Sequence, residues 1–216
     1  MNTITTLLRQ LRPALLAVVL ATVVCGLVYP AAVWAVSRIG SDHAEGSALH
    51  DANGCVVGSA LEGVDPSPAP GAPDPYFHTR VVGSSDEEDP RAAAMAPGDP
   101  AGGAPSNLGP SNPTLADWVT TRRQVVAERE HVAPEAVPVD AVTGSGSGLD
   151  PHISPEYAAI QVPRVARENR LDEARVRELV DEHTDGRQLG VLGQPRVKVA
   201  ELNVALGLTA PDCATR

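Results

Sequence analysis

The hydropathy pattern divides the chain into two unequal parts. An uncharged, mostly apolar run of 23 residues extends from Ala14 to Val36. As a helix rising about 1.5 Å per residue, this run spans roughly 34 Å, enough to cross a hydrocarbon core of about 30 Å. We therefore predict a transmembrane helix over residues 14–36.

Basic residues flank this predicted helix unevenly. Arg9 and Arg12 precede it, whereas only Arg38 follows closely. Because arginines near a membrane helix favour the cytoplasmic side, the pattern places residues 1–13 in the cytoplasm and residues 39–216 outside it.

A cleaved signal peptide is the alternative interpretation of the same run, with Val33 and Ala35 as the small residues before the cut. Two features favour a retained anchor. The run exceeds the usual apolar core of about 7 to 15 residues in a signal peptide. Tyr29 and Trp34 also lie near its outer end, where an interfacial aromatic belt belongs.

Beyond residue 39, three stretches show the apolar spacing of helices. The first follows the N-cap and proline signal of Asn112-Pro113 and ends near His131. The others extend over 155–169, with a bend at Pro163, and from a cap at Asp172 to near Gly186.

Shorter apolar pieces predict strands at Cys55–Val57 and Tyr76–Val82. Between residues 46 and 90 we expect no helix, and residues 65–75 and 84–90 are predicted to be surface loops. Residues 196–206 fit either a strand with an irregular step or a strand that turns into a short helix. Together these elements predict an α+β fold: one transmembrane helix followed by a single small mixed domain.

Composition adds three constraints on the external part. It carries 14 basic and 27 acidic residues, a net charge of −13, which makes nucleic acid a poor partner. Aromatic residues are scarce, so the core must be built mainly from Val, Leu, Ala and Ile. Twenty prolines and nineteen glycines, concentrated at about 65–113, predict irregular chain there.

No common catalytic motif is present in the sequence. Lys198 is the sole lysine, which excludes a phosphate-binding loop of the Gly-x-x-x-x-Gly-Lys type. The run Thr143–Gly148 has the wrong register for Gly-x-Ser-x-Gly. Asp150 and His152 suggest a base with its orienting acid, but the histidines lack metal-ligand spacing, and a structural histidine is the simpler interpretation.

The segment from Val142 to Ser154 is the least ordinary in the chain. Its alternating glycines and hydroxyls offer a backbone that can approach a partner closely and many hydrogen-bonding groups. The alternative is a flexible loop ahead of a helix that Ser154 caps. We list as candidate partner-contact residues of this loop Ser145, Ser147, Leu149, Asp150 and His152.

Several motifs, in order, resemble the C subunit of the Kdp complex, a bacterial P-type ATPase that takes up potassium. The resemblance covers nearly the whole chain and is greatest in the later half. The motifs are Gly26–Pro30, Gly58–Leu61, Tyr76-Phe77 with Arg80, Ser106–Pro113, Thr143–Ser154, Gln161–Ala166, Leu192–Val197 and Glu201–Asn203.

The sequence departs from the family pattern in places. The usual Ser-Gly-Gly-Ser-Asn-Leu is interrupted here as Ala101–Leu108, and Arg80 is followed by two valines. These departures weaken any nucleotide-related role for Gly102 and Gly103, a pair that has been likened in this family to a nucleotide-transporter signature loop.

The resemblance implies a non-catalytic subunit of the bacterial cell membrane, assembled with a channel-like potassium-binding subunit and an ATP-hydrolysing subunit. It also implies a chaperone role that raises the affinity of the pump for ATP. No cofactor is expected to bind this subunit directly. ATP and potassium are expected to bind the complex that it joins. Since only about the first thirteen residues reach the cytoplasm in our topology, we expect indirect effects on nucleotide binding.

Further expectations concern particular residues. Gly26, Tyr29 and Pro30 are the candidates for packing of the membrane helix against partner helices and lipid, and Gln161 and Arg164 are candidate contacts on the second predicted helix of the domain. The alternative function is a membrane-anchored extracytoplasmic hydrolase or solute-binding module, with Asp150, His152 and a loop serine as its site. Whether Cys55 and Cys213 pair stays open.

Overall fold

A computed structural model describes residues 3–66, 68 and 71–210, with side chains from residue 9 onward. The chain divides between Gly46 and Ser47 into two compact units. Cys213 lies outside the described residues, so the structure does not bear on its pairing with Cys55.

The first unit is a single helical rod. It comprises α1 (Thr3–Val23), a π-helical turn (Val24–Val28), α2 (Tyr29–Ser37), a 3-10 turn (Arg38–Gly40) and α3 (Ser41–Ala44). Residues Arg9–Ala44 form one helix long and apolar enough to cross a membrane, a property shared by membrane anchors and signal sequences. The predicted span of 14–36 lies within it.

The π-helical turn has an identifiable cause in Pro30. A proline inside a helix lacks an N–H and its ring clashes with the carbonyl four residues earlier, here that of Gly26. Widening the turn removes this conflict, and the N–H of Tyr29 accordingly donates to the carbonyl of Val24, five residues back.

The second unit combines short strands with helices, which confirms the predicted α+β class. Its strands are β1 (Ala48–His50), β2 (Val56–Ser59), β3 (His152–Ile153), β4 (Thr184–Asp185) and β5 (Arg196–Lys198). Its helices are α4 (Pro90–Met95), α5 (Pro113–Glu130), α6 (Val139–Val142), α7 (Pro155–Asn169), α8 (Glu173–Glu182) and α9 (Val199–Ala205), with a 3-10 turn at Pro134–Ala136. Strands β1 and β2 form an antiparallel hairpin, and the other sheet has the order β3-β5-β4, also antiparallel.

Local capping signals explain the two long helices. The side chain of Asn112 accepts from the N–H of Thr114 at the start of α5, and Ser154 accepts from the N–H of Tyr157 at the start of α7. Both helices end at a residue with left-handed backbone, His131 and Arg170. The predictions for residues 113–131 and 155–169 are thus confirmed.

Other predictions need correction. Tyr76–Val82 is not a strand, because side-chain amides, described below, bond its backbone where a neighbouring strand would. Helix α4 was not predicted, although Asp89 caps it by accepting from the N–H of Ala92 and Pro90 takes the first position. Helix α8 ends at Glu182, earlier than expected, because the chain then pairs as β4 with β5.

The remaining segment, 196–206, is a strand that turns into a helix, one of the two predicted alternatives. The core lies around α7 and, as composition predicts, consists mostly of Val, Ala and Leu. Phe77 and Tyr157 are its buried aromatic members within the main cluster.

Candidate partner-contact surface

The glycine-rich segment Thr143–Ser154, here called the signature loop, connects α6 to α7 through β3. The guanidinium of Arg80 braces it at two points. Its Nη2 donates to the carbonyl of Gly144 at 2.7 Å, and its Nη1 lies 3.0 Å from Oδ2 of Asp150. One side chain therefore holds the start of the loop, at Gly144, and its middle, at Asp150, at a fixed separation.

Asp150 organises the middle of the signature loop. Its N–H donates to Oγ of Ser145 at 3.2 Å, and its Oδ1 accepts from the N–H of His152 at 3.0 Å. Oδ1 also lies 3.2 Å from Nδ1 of His152. The structure thus brings together Ser145, Asp150 and His152, as the sequence analysis grouped them.

Close backbone contacts explain several glycines around the loop. A Cβ at Gly98 would lie 1.7 Å from the carbonyl oxygen of Gly148, and one at Gly63 would lie 2.3 Å from that of Asp150. Gly148 also has a positive φ of 77°, which favours glycine. These glycines are required for tight packing of the loop against neighbouring chain.

Only part of the loop is accessible. Gly146 and Ser147 are exposed, Leu149, Asp150 and His152 are half-buried, and Ser145 is buried. Beside the loop lies an open cleft of about 430 Å³. Its polar lining includes Arg80, Asp140, Asp150, His152, Gln194 and Arg196.

Gln161 and Arg164 lie elsewhere, in the interior. The side chain of Gln161 is fully buried, accepts from the N–H of His78 at 2.8 Å and donates to its carbonyl at 3.3 Å. Arg164 donates to Oε2 of Glu130 at 2.9 Å and to the carbonyl of Tyr76 at 3.0 Å. In this structure both residues hold the domain together from within and offer no surface to a partner.

The site provides charge and hydrogen bonds for recognition. Among the described residues, no hydroxyl is hydrogen-bonded to the ring of His152, so the structure does not assemble a nucleophile with this base. Within the same part of the chain, no three His, Cys, Asp or Glu side chains are grouped as metal ligands.

Two supporting residues were not assigned roles from sequence. Asp140 accepts from both the N–H and the hydroxyl of Ser154, at 2.7 and 2.8 Å, and so fixes the end of the loop. Arg122 is completely buried and donates to the carbonyl of Val142, next to the loop's start. Its position one helical turn after Trp118, on the apolar face of α5, was the available signal.

Fold and site together define a class of protein: a small α+β domain that follows a single apolar helix and presents a braced, glycine-rich loop. The family model described as "KdpC: K+-transporting ATPase, c chain" matches residues 11–207. The chain therefore belongs to the KdpC family.

Similar proteins include three that are named potassium-transporting ATPase KdpC subunit. That of Kineococcus radiotolerans is 47% identical over 208 residues, which cover 96% of this chain and 98% of the relative. That of Rhodopseudomonas palustris strain BisB5 is 43% identical, with 94% and 98% covered. That of Geobacter sulfurreducens is 38% identical, with 94% and 100% covered.

Proposed function

We propose that this chain is the anchored accessory subunit of a potassium-transporting ATPase. The observation that carries the proposal is the family match over residues 11–207, which includes both the apolar helix and the domain. In the proposed arrangement the helix packs against the membrane parts of the partner subunits. The domain lies outside the cytoplasm, over the potassium entrance of a channel-like subunit.

The aromatic residues and the arginines at the two ends of the helix support a membrane span with this orientation. Its Nη1 lies 2.6 Å from Oε1 of Glu45, and its guanidinium lies 5.7 Å from the centre of the Trp34 ring. An arginine stacked on an exposed indole is typical of a membrane interface. Arg9 and Arg12 at the other end give the larger positive charge, which favours the cytoplasmic side.

We place the contact with the channel-like subunit at the accessible part of the signature loop. Gly146 and Ser147 project from a framework that Arg80 and Asp140 hold. A preorganised loop loses little conformational freedom on binding, which favours affinity. The half-buried Asp150 and His152 beside it supply polar contacts that select one partner surface over others.

Effects on ATP binding are, in this proposal, transmitted through the complex. Of Gly102 and Gly103, the pair likened to a nucleotide signature, Gly103 packs beside the signature loop: a Cβ there would lie 3.2 Å from Cδ1 of Leu149. A Cβ at Gly102 would instead lie 2.8 Å from Oδ2 of Asp99. This arrangement favours a packing role for the pair. It leaves the chaperone effect to helix contacts that alter the ATP-hydrolysing subunit.

Substitution of Gly146 tests the proposed contact. A Cβ at Gly146 meets no atom within 4 Å and its φ is not positive, so Gly146→Trp adds a large side chain without straining the fold. We expect it to lower recovery of partner subunits from membranes in mild detergent by about tenfold, or about 1.4 kcal/mol. Potassium uptake at low external potassium should fall with it.

Ala174→Trp is the matched control, because Ala174 is an exposed residue of α8, outside the proposed contact. It should leave both recovery and uptake unchanged. Equal behaviour of the two variants would refute the placement of the contact, while failure of the unmodified chain to recover any partner would refute the proposed function itself.

A further inference from the structure

A buried histidine, His78, joins Asp65 and Asp74 to the core of the domain. His78 is 6% exposed and lies between two carboxylates. Its Nδ1 is 3.0 Å from Oδ2 of Asp65, and its Nε2 is 2.9 Å from Oδ2 of Asp74. Because a carboxylate oxygen only accepts hydrogen bonds, both contacts form only when both ring nitrogens carry a hydrogen. The geometry therefore requires the imidazolium form.

The charges around His78 lead to the same conclusion. We define the buried charge cluster as His78 and five charged neighbours. Asp65 and Asp74 precede His78 in the chain, Arg129 and Glu130 belong to α5, and Arg164 belongs to α7. Arg164 lies 3.1 Å from Oδ2 of Asp74 and 2.9 Å from Oε2 of Glu130, and Arg129 lies 2.6 Å from Oε1 of Glu130. Three carboxylates face two guanidinium groups, so the cluster is neutral only when His78 is protonated.

The phenol of Tyr157 completes the surroundings, accepting from Nη2 of Arg129 at 2.9 Å; burial raises its pKa and keeps it neutral. Asp74 depends strongly on His78, because its Oδ1 is buried without a hydrogen-bond partner among the described residues. Asp65 is held on its other side by the N–H of Thr79, at 2.8 Å. A neutral ring keeps a single N–H, so loss of one proton from His78 leaves one of the two carboxylates without its donor.

The titration of these groups has the matching direction. Burial and the charge of Arg129 lower the pKa of His78. The charge of Asp65 and the hydrogen bonds that His78 donates to Asp65 and Asp74 outweigh them, and the net effect is a raised pKa. For Asp74, burial raises the pKa, but His78, Arg164 and Arg129 outweigh it and the pKa is lowered overall.

We propose that His78 is a pH-operated latch that fastens both Asp65 and Asp74 to the domain while it is protonated and releases one of the two when it loses its proton. The latch follows from contacts within this domain and does not depend on the proposed function. Its stabilising effect is full below the ordinary histidine pKa of about 6.5 and is lost as the pH rises through the raised value. The contribution of Asp74 is lost at the acid end, as the pH falls through its lowered pKa.

Histidine NMR of the full chain in detergent micelles tests the latch directly. With ¹³Cε1-labelled histidine, the six imidazoles give separate titration curves, and His78→Gln assigns the one that disappears. We expect His78 to titrate above about 6.5. Titration at or below that value would overturn the proposal. Asp65→Asn is a second variant, and it should move the His78 titration downward.

Thermal unfolding supplies an independent measurement on the same protein. Between pH 6 and pH 9 the unfolding midpoint of the unmodified chain should fall by at least about 2 °C relative to His78→Gln, and amide-exchange protection at Thr79 should fall with it. His50→Gln, at an exposed histidine of β1, should retain the full pH dependence. A pH dependence that survives in His78→Gln would contradict the latch.

Discussion

Arg122 shows how one residue organises the approach to the signature loop. Its guanidinium is fully buried, pairs with no carboxylate of the residues that the structure describes, and donates to three carbonyls, those of Val82, Ala94 and Val142, at 2.7 to 3.2 Å. It also lies 5.4 Å from the centre of the Trp118 ring. Burial lowers its pKa to about 10, so it stays charged at neutral pH. Three separate segments of chain therefore meet at one side chain.

Arg122→Met should be strongly destabilising, because it leaves three buried carbonyls without their donor. We expect a loss of about 3 to 5 kcal/mol in the free energy of unfolding, measured by chemical denaturation. Arg91→Met is the control, since Arg91 is an exposed arginine paired with Glu128, and it should cost less than about 1 kcal/mol. Similar losses in the two variants would contradict the role assigned to Arg122.

Residue-level prediction from the sequence succeeded where neighbours in the chain decide the outcome. The cap residues Asn112 and Ser154 act within one turn, and both were predicted. Gln161 was predicted as a surface contact but is buried, because its partner is the backbone of His78, 83 residues away. Asn203 likewise bonds the backbone of Phe77 from 126 residues away. Nothing local in the sequence signals such pairings.

At the scale of elements, the membrane helix is more irregular than its hydropathy indicates. One π-helical turn inserts the equivalent of one extra residue, which rotates α2 by roughly 100° relative to α1. Gly26 lies within this turn, and Tyr29 and Pro30 begin α2. The turn therefore determines which face of α2, the helix that contains Trp34, is available for packing against other helices.

Pro30→Ala should convert this turn to ordinary α-helix, because the alanine restores an N–H and removes the ring clash with Gly26. Solid-state NMR of the chain in oriented bilayers reads the helix phase from dipolar couplings. We expect a phase jump of roughly 100° between α1 and α2 that disappears in Pro30→Ala. Pro13→Ala, at the proline within α1, should preserve the jump. Its persistence in Pro30→Ala would show that Pro30 is not the cause.

Two elements of the domain were not predicted correctly from the residue pattern. A short apolar piece at Tyr76–Val82 predicted a strand, but the side-chain amides of Gln161 and Asn203 bond its backbone where a neighbouring strand would. Helix α4 is six residues long, too short for apolar periodicity to reveal it. The signal that was present, Asp89 followed by Pro90, is a capping signal, and it was assigned to a loop.

At the scale of the molecule, charge and anchoring support one arrangement. The part beyond Arg38 carries a net charge of −13, which modestly concentrates cations near it and disfavours nucleic acid. The model of the KdpC family is described as the c chain of a K+-transporting ATPase, so a higher concentration of cations near this acidic domain is relevant to its family. In the arrangement that we propose, the domain lies on the far side of the membrane from ATP and acts on the pump through contacts.

Protease accessibility in intact spheroplasts shows on which side of the membrane the domain lies. With an epitope fused after Arg216, trypsin added outside should cut at the domain's many arginines and remove the epitope, while a cytoplasmic marker protein survives. We expect the epitope to be destroyed before the spheroplasts are lysed. An epitope that survives until the spheroplasts are lysed would place the domain in the cytoplasm and contradict the proposed orientation.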